Sequence, residues 1–382
     1  MDAPFIYDCY VTGKNFIGRK SECTALANLI AGGENIVIYE PPKTGKKSVI
    51  QQTLFNMRLS GQQLFNVSDL NMFNIRTIHD FLTGFGNAVI RSTSSSPAEY
   101  ADIIGRHLSG THFVFDRKRF SESDEVVSLN WAPDIYDIEM MLRLPGSIAE
   151  EKGIRMIMII EEFQNILGDD SGDDVIKAME TVLGETKNGG GCTFILSGSR
   201  TNAMKYIFEE KKYFHRLVEH LPLQPIDDRD IVEHISRGFL SQGKVVEKDQ
   251  AMGACKLFRN NIWYINHFTA ICNSLSKGYI NEGIMLDALN AMLSIHEPRF
   301  QAMTDSLTDH QLSLLKAALD GVVRFSSTDV IEKYALNSSA NVRRVKDALK
   351  KKEIITFNEK DEPVVLDPLF EYWVRKYYFK IS

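Results

Sequence analysis

The residues Ile36-Val37-Ile38-Tyr39 run into Glu40-Pro41-Pro42-Lys43-Thr44-Gly45-Lys46-Lys47-Ser48, an apolar run followed by a glycine and a lysine where a helix begins. That order suits phosphate binding. Backbone N–H groups converge on an anion at a helix start, and a lysine neutralises the outer phosphates. The full signature reads G-x-x-x-x-G-K-[ST], and two of its positions differ here. Glu40 stands for the first glycine, and Lys47 for the hydroxyl that ligates magnesium. Pro41 and Pro42 carry no N–H donor, whereas Lys43, Thr44, Gly45, Lys46, Lys47 and Ser48 all keep theirs. Those six are the candidate phosphate contacts.

A loop of this kind needs carboxylates from a second strand, one for the metal and one to polarise the attacking water. Met156-Ile157-Met158-Ile159-Ile160 runs straight into Glu161-Glu162. Glu161 is the candidate metal ligand and Glu162 the candidate catalytic base. The next apolar run ends in Ser197-Gly198-Ser199, where small polar residues meet ligands in open α/β sheets. Ser197 is the candidate for a γ-phosphate or water contact; the competing reading is a plain strand-to-helix turn.

These groups must be positioned by strands and helices in alternation. Apolar runs at 35–40, 63–69, 155–163 and 192–199 lie too far apart for hairpins, and helix-period stretches at 46–60, 77–91, 134–152 and 173–187 separate them. The expected class is α/β, a parallel sheet covered by helices on both faces. Residues 92–133 interrupt the pattern with a serine-rich stretch and a charged run. They are expected to form a partly mobile insertion over a sheet edge, either a variable surface loop or a lid. Residues 226–298 are almost all helix-period, with no clear strand.

The last part changes texture again. Thr308 caps a helix ending at Gly321, helical stretches follow at 327–334 and 338–352, and short apolar strands at 353–357 and 364–366 flank a turn. Three helices and a two-stranded ribbon make a winged helix-turn-helix. The expected domains are 1–222, 223–303 and 304–382. Arg343, Arg344 and Lys346 fall where a recognition helix lies, and are the candidate nucleic-acid contacts. The charge balance is thin: 13 basic against 11 acidic residues over 306–382, and 31 against 39 elsewhere. A solvated basic face on a protein-binding winged helix therefore competes with DNA binding.

Composition excludes several classes. The chain of 382 residues is 44% hydrophobic and 25% charged with a net charge of −6, ordinary globular values without a global pull toward nucleic acid or membranes. The five cysteines show no C-x-x-C pair, as expected of reduced thiols. The first residues lack a basic region followed by an apolar core, and no apolar run approaches a membrane span. A cytoplasmic protein is expected. No H-E-x-x-H and no G-x-S-x-G occurs, which leaves zinc peptidase and serine hydrolase chemistry without support.

Phe16-Ile17-Gly18-Arg19-Lys20-Ser21-Glu22 resembles the entry segment "FxGR-x-x-E" of the archaeal-type ATPases, P-loop proteins related to the AAA+ and STAND NTPases. Residues 40–48 align with that family's G-P-R-R-x-G-K-T-S, Glu161-Glu162-Phe163-Gln164 with its Asp-Glu-Phe-Gln, and Gly198-Ser199 with its "GSS". Asn260-Asn261-Ile262-Trp263-Tyr264 is similar to its "G-x-P-x-Y" turn, and Leu366-Asp367-Pro368-Leu369-Phe370-Glu371-Tyr372-Trp373 to its "DPLFxxW" ending. The resemblance covers nearly the whole chain outside 92–133. It implies ATP or ADP as ligand, Mg²⁺ as companion ion, a helical lid and a C-terminal winged helix. Glu40, Lys47 and Glu161 depart from the pattern. They bear on metal-dependent hydrolysis more than on nucleotide binding, so the expectation is a nucleotide-binding switch with weak or absent turnover. The other reading is a pseudo-NTPase adaptor that binds DNA or a protein partner through its winged helix.

Overall fold

The apolar runs form one parallel sheet. In the computed structural model, residues 4–61, 64–168, 172–186 and 191–381 are described; Gln63 and Lys187, expected at the ends of a strand and a helix, lie outside them. The chain divides into two units. One comprises Lys20–Glu40 and Val49–Leu223, the other Met1–Arg19, Pro41–Ser48 and Gln224–Ser382.

In the first unit α1 (Lys20–Gly32) leads into β1 (Asn35–Tyr39), and α2 (Lys46–Ser60), which enters this unit at Val49, and β2 (Phe65–Asn71) follow. Next come α3 (Ile78–Thr93), α4 (Pro97–His107), β3 (Phe113–Val114), α5 (Arg117–Ser123), β4 (Ser128–Leu129) and α6 (Ile135–Lys152). The unit closes with β5 (Arg155–Glu161), α7 (Gly172–Thr186), β6 (Cys192–Gly198), α8 (Thr201–Lys205) and β7 (Val218–His220). The five-stranded sheet has the order β2-β5-β6-β1-β7, with every pairing parallel. β1 and β6 are buried along their whole length, as strands covered on both faces must be. The edge strand β7 was illegible because two of its three residues, Glu219 and His220, are polar and exposed.

Residues 92–133 are not an irregular loop. Tyr100, Ile103, Leu108, Phe113, Val126 and Val127 are buried in the core of this unit. Gly86 on α3 makes room: a Cβ there would lie 2.9 Å from Val127 and 3.0 Å from Met141. The serine-rich stretch is a helix start, with Ser96 accepting from the Glu99 N–H ahead of Pro97. Serine and proline suggest a loop when counted and a cap when placed.

In the second unit, α9 (Asp228–Ser241), α10 (Lys248–Leu257), α11 (Ile262–Leu275) and α12 (Glu282–Asp305) form a helical layer. The expectation of no strand there is corrected by β8 (Val245–Val246) and β9 (Tyr279–Ile280), which pair in parallel. Phe5 is buried against α9, where Gly238 must lack a side chain because a Cβ would sit 2.4 Å from the ring. The winged helix follows as α13 (Asp309–Leu319), α14 (Thr328–Lys333), α15 (Ser339–Lys351) and the antiparallel ribbon β10 (Ile355–Phe357) and β11 (Pro363–Val365), ending in α16 (Pro368–Trp373). Thr308 caps α13 in a reciprocal box with Gln311. Among the described residues no helix is long and apolar enough to cross a membrane.

At the start of α6, Asp134 and Asp137 form a second capping box, and Asp137 also accepts from His112 Nδ1 at 2.7 Å. Among the described residues these three are the ones whose spacing could suit a metal ion, but the two carboxylates are engaged in closing the helix. Burial pushes the Asp137 carboxyl up, and the His112 and Asp134 amides with the His112 ring outweigh it, leaving it below its ordinary 3.8. The hydrogen bond to Asp137 holds His112 above its ordinary 6.5. Stability from His112 is thus complete below 6.5 and lost as pH rises through its folded value; that from Asp137 is present above 3.8 and lost as pH falls through its folded value. Replacing His112 by Asn should cost more stability at about pH 6 than at about pH 8.5, read from urea midpoints. Equal losses at the two pH values would assign the effect to packing alone.

Candidate functional site

The sheet register sets three strand ends level. Ile38 on β1 faces Ser197 on β6, and Ser197 faces Glu161 on β5. Tyr39, the last residue of β1, donates its hydroxyl to Glu209 at 2.6 Å and stacks on His220 with centroids 4.3 Å apart. Burial and Glu209 hold that phenol protonated, well above its ordinary value. Beyond it, Glu40 donates its amide to Gly198 O, and its carboxylate accepts the Leu223 N–H at 3.3 Å. The carboxylate that replaces the first glycine therefore serves a backbone group of the same unit.

The loop itself belongs to the other unit. Pro41 O accepts from both Thr44 Oγ1 and Lys46 Nζ at 2.9 Å, and Arg19 Nη1 donates to Thr44 O at 2.6 Å. Lys43 and Gly45 adopt left-handed backbone at φ of 68° and 90°. Gly45 is the residue for which such a φ costs nothing, and a Cβ there would approach Arg19 Nη1 at 3.3 Å. Lys46 is buried, with its ammonium turned over the loop. Lys47 lies over the Tyr10 ring at 5.8 Å, and Ser48 Oγ accepts the Val11 N–H at 3.1 Å. The Lys43 ammonium sits 3.3 Å above the Trp263 ring and 5.6 Å from that of Tyr264 on α11. Burial, then Arg299, lowers its pKa to about 8.

This set fits a polyphosphate. A tight loop with a left-handed glycine opens a helix, and its central lysine folds back over it. It does not complete a magnesium site, since Lys47 offers no oxygen where the hydroxyl belongs.

On the sheet side, Glu161 accepts from Asn71 Nδ2 at 3.3 Å. Glu162 has φ 55°. Its Oε2 accepts from both Ser199 Oγ and Gln164 Nε2 at 2.6 Å. Ser199, rather than the buried Ser197, is the hydroxyl brought to the carboxylate. Reading the strand alone missed it: β6 stops at Gly198, and Ser199 turns with the chain that leaves the sheet. Asn71 was missed for a similar reason, as one polar residue at a strand end.

On the winged helix, Arg343 and Arg344 are exposed, and Arg344 donates to Asn341 Oδ1 at 2.9 Å. Lys346 is different. Its ammonium lies 3.9 Å over the Phe357 ring and 3.2 Å from Asp361 Oδ1, so it braces the ribbon. The turn beyond carries Glu359, Asp361 and Glu362 against Lys360.

Solved structures resemble this chain along its length. The Walker-type ATPase of Pyrococcus abyssi matches with TM-score 0.67 at 14% identity, over 97% of this chain and 99% of that one. The ORC2 protein of Aeropyrum pernix, solved as ADPNP–ADP complexes, matches with TM-score 0.56 at 13% identity, over 94% and 93%. Cdc6p of Pyrobaculum aerophilum matches with TM-score 0.50 at 12% identity, over 98% and 97%. The family model described as "Probable winged helix domain" matches residues 298–376. No curated protein matches. The chain has the fold of these solved structures, with a winged helix at its C-terminal end.

Gly198 shows how tightly the strand end is packed. A Cβ there would meet Met204 Cγ at 2.4 Å and Gln164 Oε1 at 2.7 Å, disturbing the group that holds Glu162. Gly198→Ala should lower stability by about 1–3 kcal/mol in urea unfolding, the range for overpacking a filled site. An unchanged midpoint would mean that Met204 and Gln164 move aside freely.

Proposed function

We propose that this protein is an ATP- or ADP-binding switch with weak or absent hydrolysis, built as an α/β domain over 1–222, a helical lid over 223–303 and a winged helix over 304–382. The observation that carries this reading is the loop: a left-handed Gly45 and a buried Lys46 folded onto Pro41 O at a helix start. The fold supports it, as does the ADPNP–ADP state of the Aeropyrum pernix ORC2 protein. In this reading the 43–48 amides cradle phosphates and Lys46 neutralises the outer ones. Lys47, in place of the metal-binding hydroxyl, offsets phosphate charge that Mg²⁺ ordinarily meets. Glu161 organises the metal if one binds. Glu162 is the water-activating carboxylate, and its double engagement with Ser199 and Gln164 favours slow turnover. Ser197 is kept as a phosphate or water contact. The expected setting is the cytoplasm.

Calorimetric titration of the full chain with ATP, with and without Mg²⁺, tests this. Binding should change little with Mg²⁺ and weaken by about 10–100-fold in Lys46→Ala, the loss of a charge-assisted contact. No binding at millimolar ATP overturns the reading, and strong Mg²⁺ dependence overturns the role given to Lys47. Phosphate release abolished by Glu162→Gln would make the protein an ATPase.

The second reading, an adaptor that binds DNA or a protein partner, is favoured by Arg343 and Arg344, which point outward while Lys346 braces the ribbon. DNA retardation that survives Lys46→Ala but fails in the Arg343→Ala, Arg344→Ala double variant would support it. Unaltered retardation in that double variant would remove α15 as the contact.

A further inference from the structure

Lys43 is the loop residue whose surroundings the nucleotide reading leaves unexplained. Lys43 is exposed, and the close contacts of its ammonium among the described residues are ring faces: Trp263 at 3.3 Å and Tyr264 at 5.6 Å. No described carboxylate or carbonyl accepts a hydrogen bond from it. The carboxylate that attracts it from a distance, Asp367, is already taken up by Tyr264 Oη at 2.8 Å and Arg299 Nη2 at 2.7 Å. Arg299 repels it, and burial holds His267 and His296 below their ordinary values and so neutral. Among the described residues the buried His267 Nδ1 and His296 Nε2 have no hydrogen-bond partner. Tyr7 stacks on His267 at 4.5 Å and closes the aromatic group.

A lysine whose ammonium lies against an aromatic face at the edge of the 41–48 loop, with no protein acceptor among the described residues, is poised to exchange partners. A charge-assisted hydrogen bond to phosphate outweighs a ring contact. We propose that Lys43 is an exchangeable cation, for which the Trp263 ring and the phosphates of a nucleotide on the 41–48 loop compete. This rests on the nucleotide reading above and adds a regulatory element to it: Trp263 sets how much binding energy the loop gives up before Lys43 can meet phosphate.

Competition has a sign that a structural role does not. In calorimetry on the full chain, Lys43→Met should weaken ATP and ADP binding about tenfold, the loss of one charge-assisted contact. Trp263→Leu should tighten binding about threefold, because a rival for the cation is gone; the ring contact is worth about that much. Trp263→Phe, which keeps an aromatic face of weaker pull, should fall between Leu and the native residue. The Trp263→Leu gain should vanish in the Lys43→Met background, the coupling that a double-mutant cycle isolates. Tryptophan emission should change on adding nucleotide, and this change should be lost in Lys43→Met. Weaker binding in Trp263→Leu, or the same effect with and without Lys43, overturns the proposal. So does ATP binding that leaves emission unchanged while the nucleotide reading stands. A response to inorganic phosphate as strong as to ATP supports the competition and removes the nucleotide reading. No binding of ATP, ADP or phosphate overturns both.

Discussion

The parallel pairing of β1 with β6 is the constraint on which the candidate chemistry of the sheet depends. Side chains alternate between faces, so a one-residue slip of β1 against β6 would turn Ile38 away from the face it shares with Ser197 and Glu161. The register is held by Asn35, buried at the start of β1. Its Oδ1 accepts the Phe194 N–H at 2.9 Å, and its Nδ2 donates to Leu217 O at 3.4 Å. One amide thus ties β1 to the strand on one side and to the approach of β7 on the other. A buried asparagine costs stability unless both ends are satisfied, and here both are. The specificity of the register justifies the polar group in an otherwise apolar strand.

In the other unit, the loop is fastened by residues from well-separated parts of the chain. Arg19 takes the Thr44 carbonyl, Val11 takes the Ser48 hydroxyl, and Trp263 takes the Lys43 ammonium. The next residue, Tyr264, donates to both Asp367 oxygens, and Asp367 caps α16 through the Leu369 and Phe370 amides. Arg299 on α12 closes this arrangement on the same carboxylate. A cation–π contact, the step from Trp263 to Tyr264 along the chain, and a set of hydrogen bonds therefore link the loop to the end of the winged helix. Each link is local and directional, the kind of contact that has discrete made and broken states.

Legibility in the sequence followed burial. The strands β1, β5 and β6 were readable because two-faced burial demands uninterrupted apolar runs, as in residues 156–160 and 194–196, whereas β2 is interrupted by Asn66, Ser68 and Asp69. The winged helix was readable because its caps, Thr308 and Ser338, are local signals. What stayed hidden is set by tertiary partners. Serine-rich residues 92–97 looked like a loop because nothing nearby in sequence announces that Tyr100 and Ile103 reach the core. Lys346 looked like its neighbours Arg343 and Arg344, and only the arrival of Phe357 and Asp361 from the ribbon separates it from them. The loop lysines were readable as a charge cluster, but not their division between Pro41 O, Tyr10 and Trp263.

That division bears on the two departures from the phosphate-loop pattern. A glutamate in place of glycine brings negative charge and loses backbone freedom, both adverse to phosphate. Here its carboxylate is spent on the Leu223 amide, and the left-handed positions fall later, at Lys43 and Gly45. A lysine in place of the hydroxyl removes a metal ligand and adds a cation on the helix's first turn. An added cation there disfavours the bare helix end but favours a bound polyanion. In the proposed reading the two changes act in one direction: protein cations meet the phosphate charge, and the oxygen that would share it with a metal is given up. Under the proposed function, nucleotide retention and slow turnover are two consequences of that single exchange.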